Sequence, residues 1–239
     1  MASTLPLKTT DLVKKINIYV ANNPVVPAIT DTEWLIDVDL INQAILLWES
    51  EREVEWKELW VGNTPLGTVT VGQTSLPLPD DFKWPGGFVR FVNSTGGVTR
   101  MPIVALDHVN NREQVEKNPQ VCYVTGSPGA YVLNYGFANI LGSVTIGTTV
   151  YIDYYRFATQ MDPTQTTGTP EMSDPMFLVW FAVAQRKLQT GDSDQYSVFN
   201  AMATESLRLM RVANYNIPAY GDNALENRDY WIDGKVLGF

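Results

Sequence analysis

The hydrophobic positions divide the chain into helical sequence at both ends and strand-like sequence between them. Residues 31–60 show the clearest helical pattern, because large apolar residues recur there at spacings of four, three, four and three. These residues are Trp34, Val38, Ile41, Ile45 and Trp48. The spacing predicts a buried stripe along one long helix that spans the whole segment.

Three shorter helices are also predicted, one before the long helix and two after the middle region. One covers about residues 11–22. Another begins at Asp174-Pro175, where Asp suits the cap and Pro the first turn. Its predicted buried face consists of Phe177, Trp180, Phe181, Ala184 and Leu188. Gly191-Asp192 interrupts the helical pattern before a last helix, and so short a break predicts an antiparallel helix pair.

The middle region has the pattern of short β-strands. Glycine and proline turns separate segments such as FVRFV, AYVLNYG and TVYIDYYRF, in which apolar and polar residues partly alternate. We therefore predict an α+β fold, in which a helical bundle formed by the N- and C-terminal helices carries an inserted antiparallel β-sandwich or barrel-like domain. The predicted divisions are 1–60 and 161–213 for the two parts of the bundle, 61–160 for the β-domain, and 214–239 for an extended C-terminal arm.

The C-terminal arm has neither a helical stripe nor sustained strand alternation, yet it is rich in large apolar side chains. A disordered tail would be poorer in such residues. We therefore predict that it docks on another surface, either a neighbouring protein or the chain's own helices. The predicted docking residues are Tyr215, Ile217, Tyr220, Tyr230, Trp231 and Phe239.

The charge of the chain argues against free nucleic-acid binding and indicates an acidic surface in residues 31–60. The formal net charge is −9 and the sequence has no run of Lys and Arg, whereas a free nucleic-acid binder needs a basic patch. Residues 31–60 hold nine carboxylates against two cations, a local charge of −7. This segment is either a solvated helix face or a wall facing a negatively charged partner. The residues predicted to face that partner are Glu49, Glu51, Glu53 and Glu55.

Catalytic chemistry has little support in the sequence. There is one histidine, His108, and one cysteine, Cys122, so neither a nucleophilic triad, a histidine metal site nor an internal disulfide is predicted. Asp80 and Asp81 could be considered a catalytic carboxylate pair, but neighbours on an extended strand point to opposite faces and so cannot flank one glycosidic bond. We predict no cofactor and no enzymatic activity. No apolar stretch reaches the roughly 20 residues of a membrane span, and no signal peptide is recognised, so we expect a cytoplasmic origin and no membrane.

Four segments in order resemble the head-to-tail adaptor (connector) proteins of tailed bacteriophages, including the tail tubular protein A family of short-tailed phages. They are the early helix with its INQAILLW core, the segment Leu78-Pro79-Asp80-Asp81-Phe82, the strand VYIDYYRF leading through a linker to DPMFLVWFA, and the Gly191-Asp192 break before a final helix. Together they span about residues 10–215.

The resemblance implies a structural virion protein at the head–tail junction. It implies a homo-oligomeric ring, commonly of twelve copies, that binds the portal protein and the next tail component, a nozzle or tail tube protein. DNA would pass through the lumen without specific binding, and assembly would take place in the host cytoplasm. Two other functions stay open from the residues alone: a monomeric receptor- or carbohydrate-binding module, and a polysaccharide hydrolase that uses two carboxylates.

Overall fold

The computed structural model describes residues 7–51, 54–104, 121–135 and 146–215. In chain order the elements are helices α1 (Thr9–Ala21) and α2 (Thr32–Glu49), a short 3-10 helix (Lys57–Leu59), strands β1 (Trp60–Thr68), β2 (Ser75–Pro77), β3 (Phe82–Val92), β4 (Val98–Val104), β5 (Cys122–Thr125), β6 (Val132–Asn134) and β7 (Thr149–Arg156), and helices α3 (Met176–Gln189) and α4 (Ser193–Tyr215). The predicted α+β class is confirmed.

The chain forms two compact units. Among the described residues, the helical unit consists of residues 7–44, 163–167 and 173–215, and the β unit consists of those within 45–162 and 168–172. The predicted divisions of the chain at residues 60, 160 and 213 stay predictions.

Helices α1, α3 and α4 meet through an aromatic cluster in the helical unit. The ring centroid of Tyr19 lies 5.0 Å from that of Trp180 and 5.9 Å from that of Phe199. The Trp180 and Phe199 rings stack at 6.0 Å. Such offset aromatic contacts add to the stabilisation that burial of the rings provides.

The starts of α3 and α4 follow the sequence signals. Asp174 Oδ1 accepts a hydrogen bond from the Met176 backbone N–H (3.1 Å) at the start of α3. Asp192 Oδ1 accepts one from the Gln195 N–H (3.2 Å) at the start of α4. Each bond satisfies an amide that the helix itself leaves unpaired. Ser206, the polar residue on the buried face of α4, donates its hydroxyl hydrogen to Asp174.

Helix α2 confirms the stripe but not the predicted length. The five residues of the predicted stripe are each 2% exposed or less. The prediction of one helix through residue 60 is wrong, because α2 ends at Glu49. Past that point Trp56 packs back on Trp48 with ring centroids 5.2 Å apart, and its indole N–H donates to the Trp48 carbonyl (2.7 Å). The buried face predicted for α3 is wrong at Leu188, which is 51% exposed.

The strands of the β unit form one curled sheet among the described residues, in the order β1-β7-β3-β4-β5-β6-β2. Neighbours pair antiparallel, as predicted, except β4 and β5, which pair parallel. The two edge strands approach closely, since a Cβ added at Gly67 of β1 would lie 3.2 Å from Leu76 Cδ2 of β2. The curl encloses a core that includes Phe82, Val89, Phe91, Met101, Leu133, Tyr135, Val150 and Ile152.

Candidate interaction surfaces

The outer face of the curled sheet carries a row of three aromatic residues. Trp60 of β1 and Trp84 of β3 both stand directly opposite Tyr155 of β7. Residues in directly opposed positions point to the same face of a sheet. Trp60 and Trp84 are 41% and 40% exposed, and the Trp60 and Tyr155 rings meet edge to face at 4.9 Å. The row is therefore a surface feature rather than part of the core.

A charged network beside the row fixes β1, β3 and β7 to one another. Asp153 Oδ1 accepts hydrogen bonds from Arg90 Nη2 and from the Asn63 backbone N–H, both at 2.6 Å. The backbone of Gly86 lies against Trp60, so that an added Cβ would stand 2.6 Å from Cζ3 of that ring and 2.9 Å from the Asp153 carbonyl oxygen. Tryptophan, tyrosine and arginine are the residues enriched at protein interfaces, so this face is a candidate interface.

The sequence pattern alone does not predict this row. In the strand VYIDYYRF, alternation places Tyr151, Asp153 and Tyr155 on one face while Ile152 and Tyr154 enter the core. The alternation was the available signal. The contribution of Trp60 and Trp84 depends on the pairing register, which no local pattern provides.

Asp81, considered above as half of a carboxylate pair, has a structural role. The Tyr154 hydroxyl donates to Asp81 Oδ1 (2.9 Å). Burial and this bond to a carboxylate raise the pKa of Tyr154 to about 12, so the phenol stays protonated and keeps donating. Asp153 is likewise engaged, with Arg90.

A groove on the helical unit lies between α2 and α3. Its volume is about 410 Å³, and its lining includes Leu35, Asp39, Leu40 and Gln43 of α2 and Gln185 and Gln189 of α3. Asp39 accepts a hydrogen bond from Gln43 Nε2 (2.8 Å). Leu35 is 45% exposed, so the groove offers apolar surface next to a carboxylate.

A buried carboxyl group also joins these two helices. Asp37 has no exposed surface, and its Oδ1 lies 3.8 Å from Arg186 Nη1. Neither of its oxygens has a hydrogen-bond partner among the described residues. Burial raises the pKa of Asp37 to about 6; Arg186 lowers it and Glu33 raises it further. The surroundings of Asp37 therefore destabilise its ionised carboxylate relative to the protonated form.

The three described residues of the predicted acidic set differ in their surroundings. Glu49 is 7% exposed and forms an ion pair with Lys83, with Nζ and Oε1 3.0 Å apart. Its other oxygen accepts from the Ala158 backbone N–H (3.1 Å). Glu51 and Glu55 are half-buried, and Glu53 lies outside the described residues. The carboxylate of Glu49 is therefore used inside the β unit, and a channel-facing role of these four residues stays a prediction.

Of the predicted docking residues, the structure describes only Tyr215. It ends α4 and is 65% exposed. Ile217, Tyr220, Tyr230, Trp231 and Phe239 lie outside the described residues, so their role stays a prediction.

In the part of the chain that the structure describes, the remaining chemical groups form no further site. Cys122 is buried, and burial raises the pKa of its thiol to about 12, so it is a poor nucleophile. His108 lies outside the described residues. Within residues 7–51, 54–104, 121–135 and 146–215, no cluster of three His, Cys, Asp or Glu side chains is arranged to hold a metal ion. No helix in these same ranges combines the length and apolarity needed to cross a membrane.

The described residues form an α+β protein with two candidate interaction surfaces, the aromatic row on the β unit and the groove on the helical unit. The chain belongs to the SU10 adaptor protein family, a family of phage head–tail adaptors, whose model matches residues 8–224. Comparison of the sequence with curated proteins gives no match. Family membership confirms the resemblance to phage adaptors and indicates a structural, non-enzymatic virion protein that associates with portal and tail components.

Proposed function

We propose that the protein forms a homo-oligomeric ring of about twelve copies that joins the capsid portal to the next tail component, a nozzle or tail tube protein, and extends the DNA channel. The observation that carries this proposal is the family match over residues 8–224, which includes helices of both chain ends and the whole described sheet. In this proposal, assembly takes place in the host cytoplasm. The helices of the two chain ends form one bundle, into which the β unit is inserted in the sequence.

Two exposed surfaces support the proposal, because a ring subunit must contact its neighbours as well as the proteins above and below it. The row of Trp60, Tyr155 and Trp84 lies on the β unit, and the groove between α2 and α3 lies on the helical unit. In this proposal the C-terminal arm, residues 214–239, supplies a third contact by reaching the portal or an adjacent copy.

The experiment is complementation of incomplete particles. DNA-filled heads made without this protein should accept the purified chain, then bind tails and become infectious. Heads that gain tails and infectivity without it would contradict the proposal.

DNA passage is tested separately with charge reversal. Replacing Glu51, Glu53 and Glu55 by Lys removes repulsion between the wall and the DNA, so ejection from such particles should slow and depend on salt. Glu49 is left intact, because its ion pair with Lys83 belongs to the fold. Unchanged ejection would place these carboxylates away from the channel.

A further inference from the structure

Helix α3 separates two different surfaces of the helical unit. On one side Trp180 packs against Tyr19 of α1, and Lys187 Nζ donates to the Val20 carbonyl of α1 (3.3 Å). On another side Gln185 and Gln189 line the groove with α2. At 3.6 residues per turn, Trp180 and Gln189 point in directions about 180° apart. Helix α1 and the groove therefore lie on opposite sides of α3.

The outward face of α1 carries one cation, Lys14, and one anion, Asp11, beside apolar surface. Its exposed positions Asp11, Lys14, Ile18 and Ala21 are spaced three, four and three residues apart, so they lie along one side of the helix. Ile18 is 37% exposed. The Asp11 carboxylate accepts a hydrogen bond from the Lys8 backbone N–H (3.0 Å) at the start of the helix. Lys14 is the cation in the middle of this face.

The groove on the opposite side has the complementary chemistry. Asp39 is the ionisable side chain in its lining, and the sequence of α2 contains no Lys or Arg. One hydrogen bond from Gln43 leaves the Asp39 carboxylate with further acceptor capacity. Leu35 supplies exposed apolar surface four residues before Asp39, one helical turn away. The spacing of Leu35 and Asp39 matches that of Ile18 and Lys14 on α1.

We propose that the groove between α2 and α3 receives the outer face of α1 from a second copy of this chain, with Lys14 opposite Asp39 and Ile18 against Leu35. The inference rests on the proposed ring, and it assigns the contact between adjacent copies. A contact made by two different patches is heterologous, and it continues from copy to copy until a ring closes. Patches on opposite sides of α3 provide both halves of such a contact.

The first test is covalent capture in the chain bound to its portal. Lys14→Cys and Asp39→Cys are introduced together, and a short bifunctional thiol cross-linker is added. The expected result is a ladder of covalent multimers on a denaturing gel, because every copy is joined to the next at both sides. Each single variant should give no ladder. Native Cys122 is buried, so the unmodified chain should stay uncross-linked.

The second test is charge reversal. Lys14→Glu or Asp39→Lys alone should weaken each contact between copies roughly three- to tenfold, because an attractive exposed pair becomes a repulsive one. The double variant should restore assembly, and so should a mixture of the two single variants. Asp194→Lys is the matched control, since it makes the same change in charge at an exposed position of α4 outside the groove.

The outcomes separate the two proposals. A ring seen by electron microscopy without a cross-linked ladder, or without rescue by the double variant, overturns the assigned contact and leaves the proposed function standing. Cross-linking of Asp39→Cys to the portal instead of to a second copy also overturns the contact. If the unmodified chain forms no ring on its portal, the proposed function and this contact are both wrong.

Discussion

The ion pair between Glu49 and Lys83 gives the sharpest prediction about stability. Glu49 ends α2, and Lys83 lies in β3, 34 positions further along the chain. Their side chains are 8% and 11% exposed. We consider the change Glu49→Gln, which keeps the shape of the side chain and removes its charge, so that the ammonium group of Lys83 stays buried without a counter-ion.

Removing one partner of a buried ion pair costs about 3–5 kcal/mol. We expect about 3 kcal/mol, the lower end of that range, because Lys83 Nζ still donates to the Glu49 main-chain oxygen at 2.8 Å. For a chain of this size, the melting temperature should then fall by about 6–12 °C. The measurement is thermal unfolding of the full chain followed by circular dichroism.

Two further variants make this prediction specific to the pair. Lys83→Met should also destabilise the protein, and the double variant should lose less than the sum of the two single losses, with a coupling of at least about 1 kcal/mol. Glu205→Gln is the matched control, since Glu205 pairs with Arg208 at 2.7 Å but both side chains are more than half exposed. It should not change the melting temperature measurably. A Glu49→Gln protein that melts within about 2 °C of the native chain would refute this reasoning.

Two other outcomes follow from the structure, and a third follows from the sequence of the C-terminal arm. Asp37→Asn should stabilise the protein at pH 7 by up to about 3 kcal/mol. The pKa of Asp37 is about 6 in the folded protein against an ordinary value of 3.8, so ionisation of this carboxyl group lowers stability as the pH rises through that window. The gain should therefore vanish near pH 4, which thermal unfolding measured at a series of pH values would show. Gly86→Ala should destabilise the β unit by about 1–3 kcal/mol, because the methyl group overlaps the Trp60 ring, and urea unfolding measures it. Deleting residues 214–239 should leave the melting temperature nearly unchanged and abolish attachment to the portal; a deletion that melts the protein while the remaining fold still binds would contradict the docking arm.

The helices were predictable because their signals are local. Asp174 and Asp192 are capping residues that precede apolar stripes, and both accept the expected backbone hydrogen bonds. The end of α2 was not predictable in this way. Acidic residues continue the helical composition past Glu49, but a return contact between Trp56 and Trp48 replaces the next turns, and tertiary packing of this kind outweighs weak helix propensity.

The candidate surfaces depend even more on long-range pairing. Trp60 and Tyr155 are 95 positions apart in the chain and meet only because β1 pairs with β7 in one particular register. The parallel pairing of β4 with β5 also has no signature in a single strand. The buried role of Glu49 was missed for the same reason, because Lys83 comes from a strand and not from the neighbouring helical turn.

The most direct test of the account is electron microscopy of the purified chain mixed with its portal. The account predicts a closed ring of about twelve copies on the portal, with a continuous central channel. Single copies scattered on the portal, or no binding at all, would contradict the assignment of this chain to the junction between head and tail.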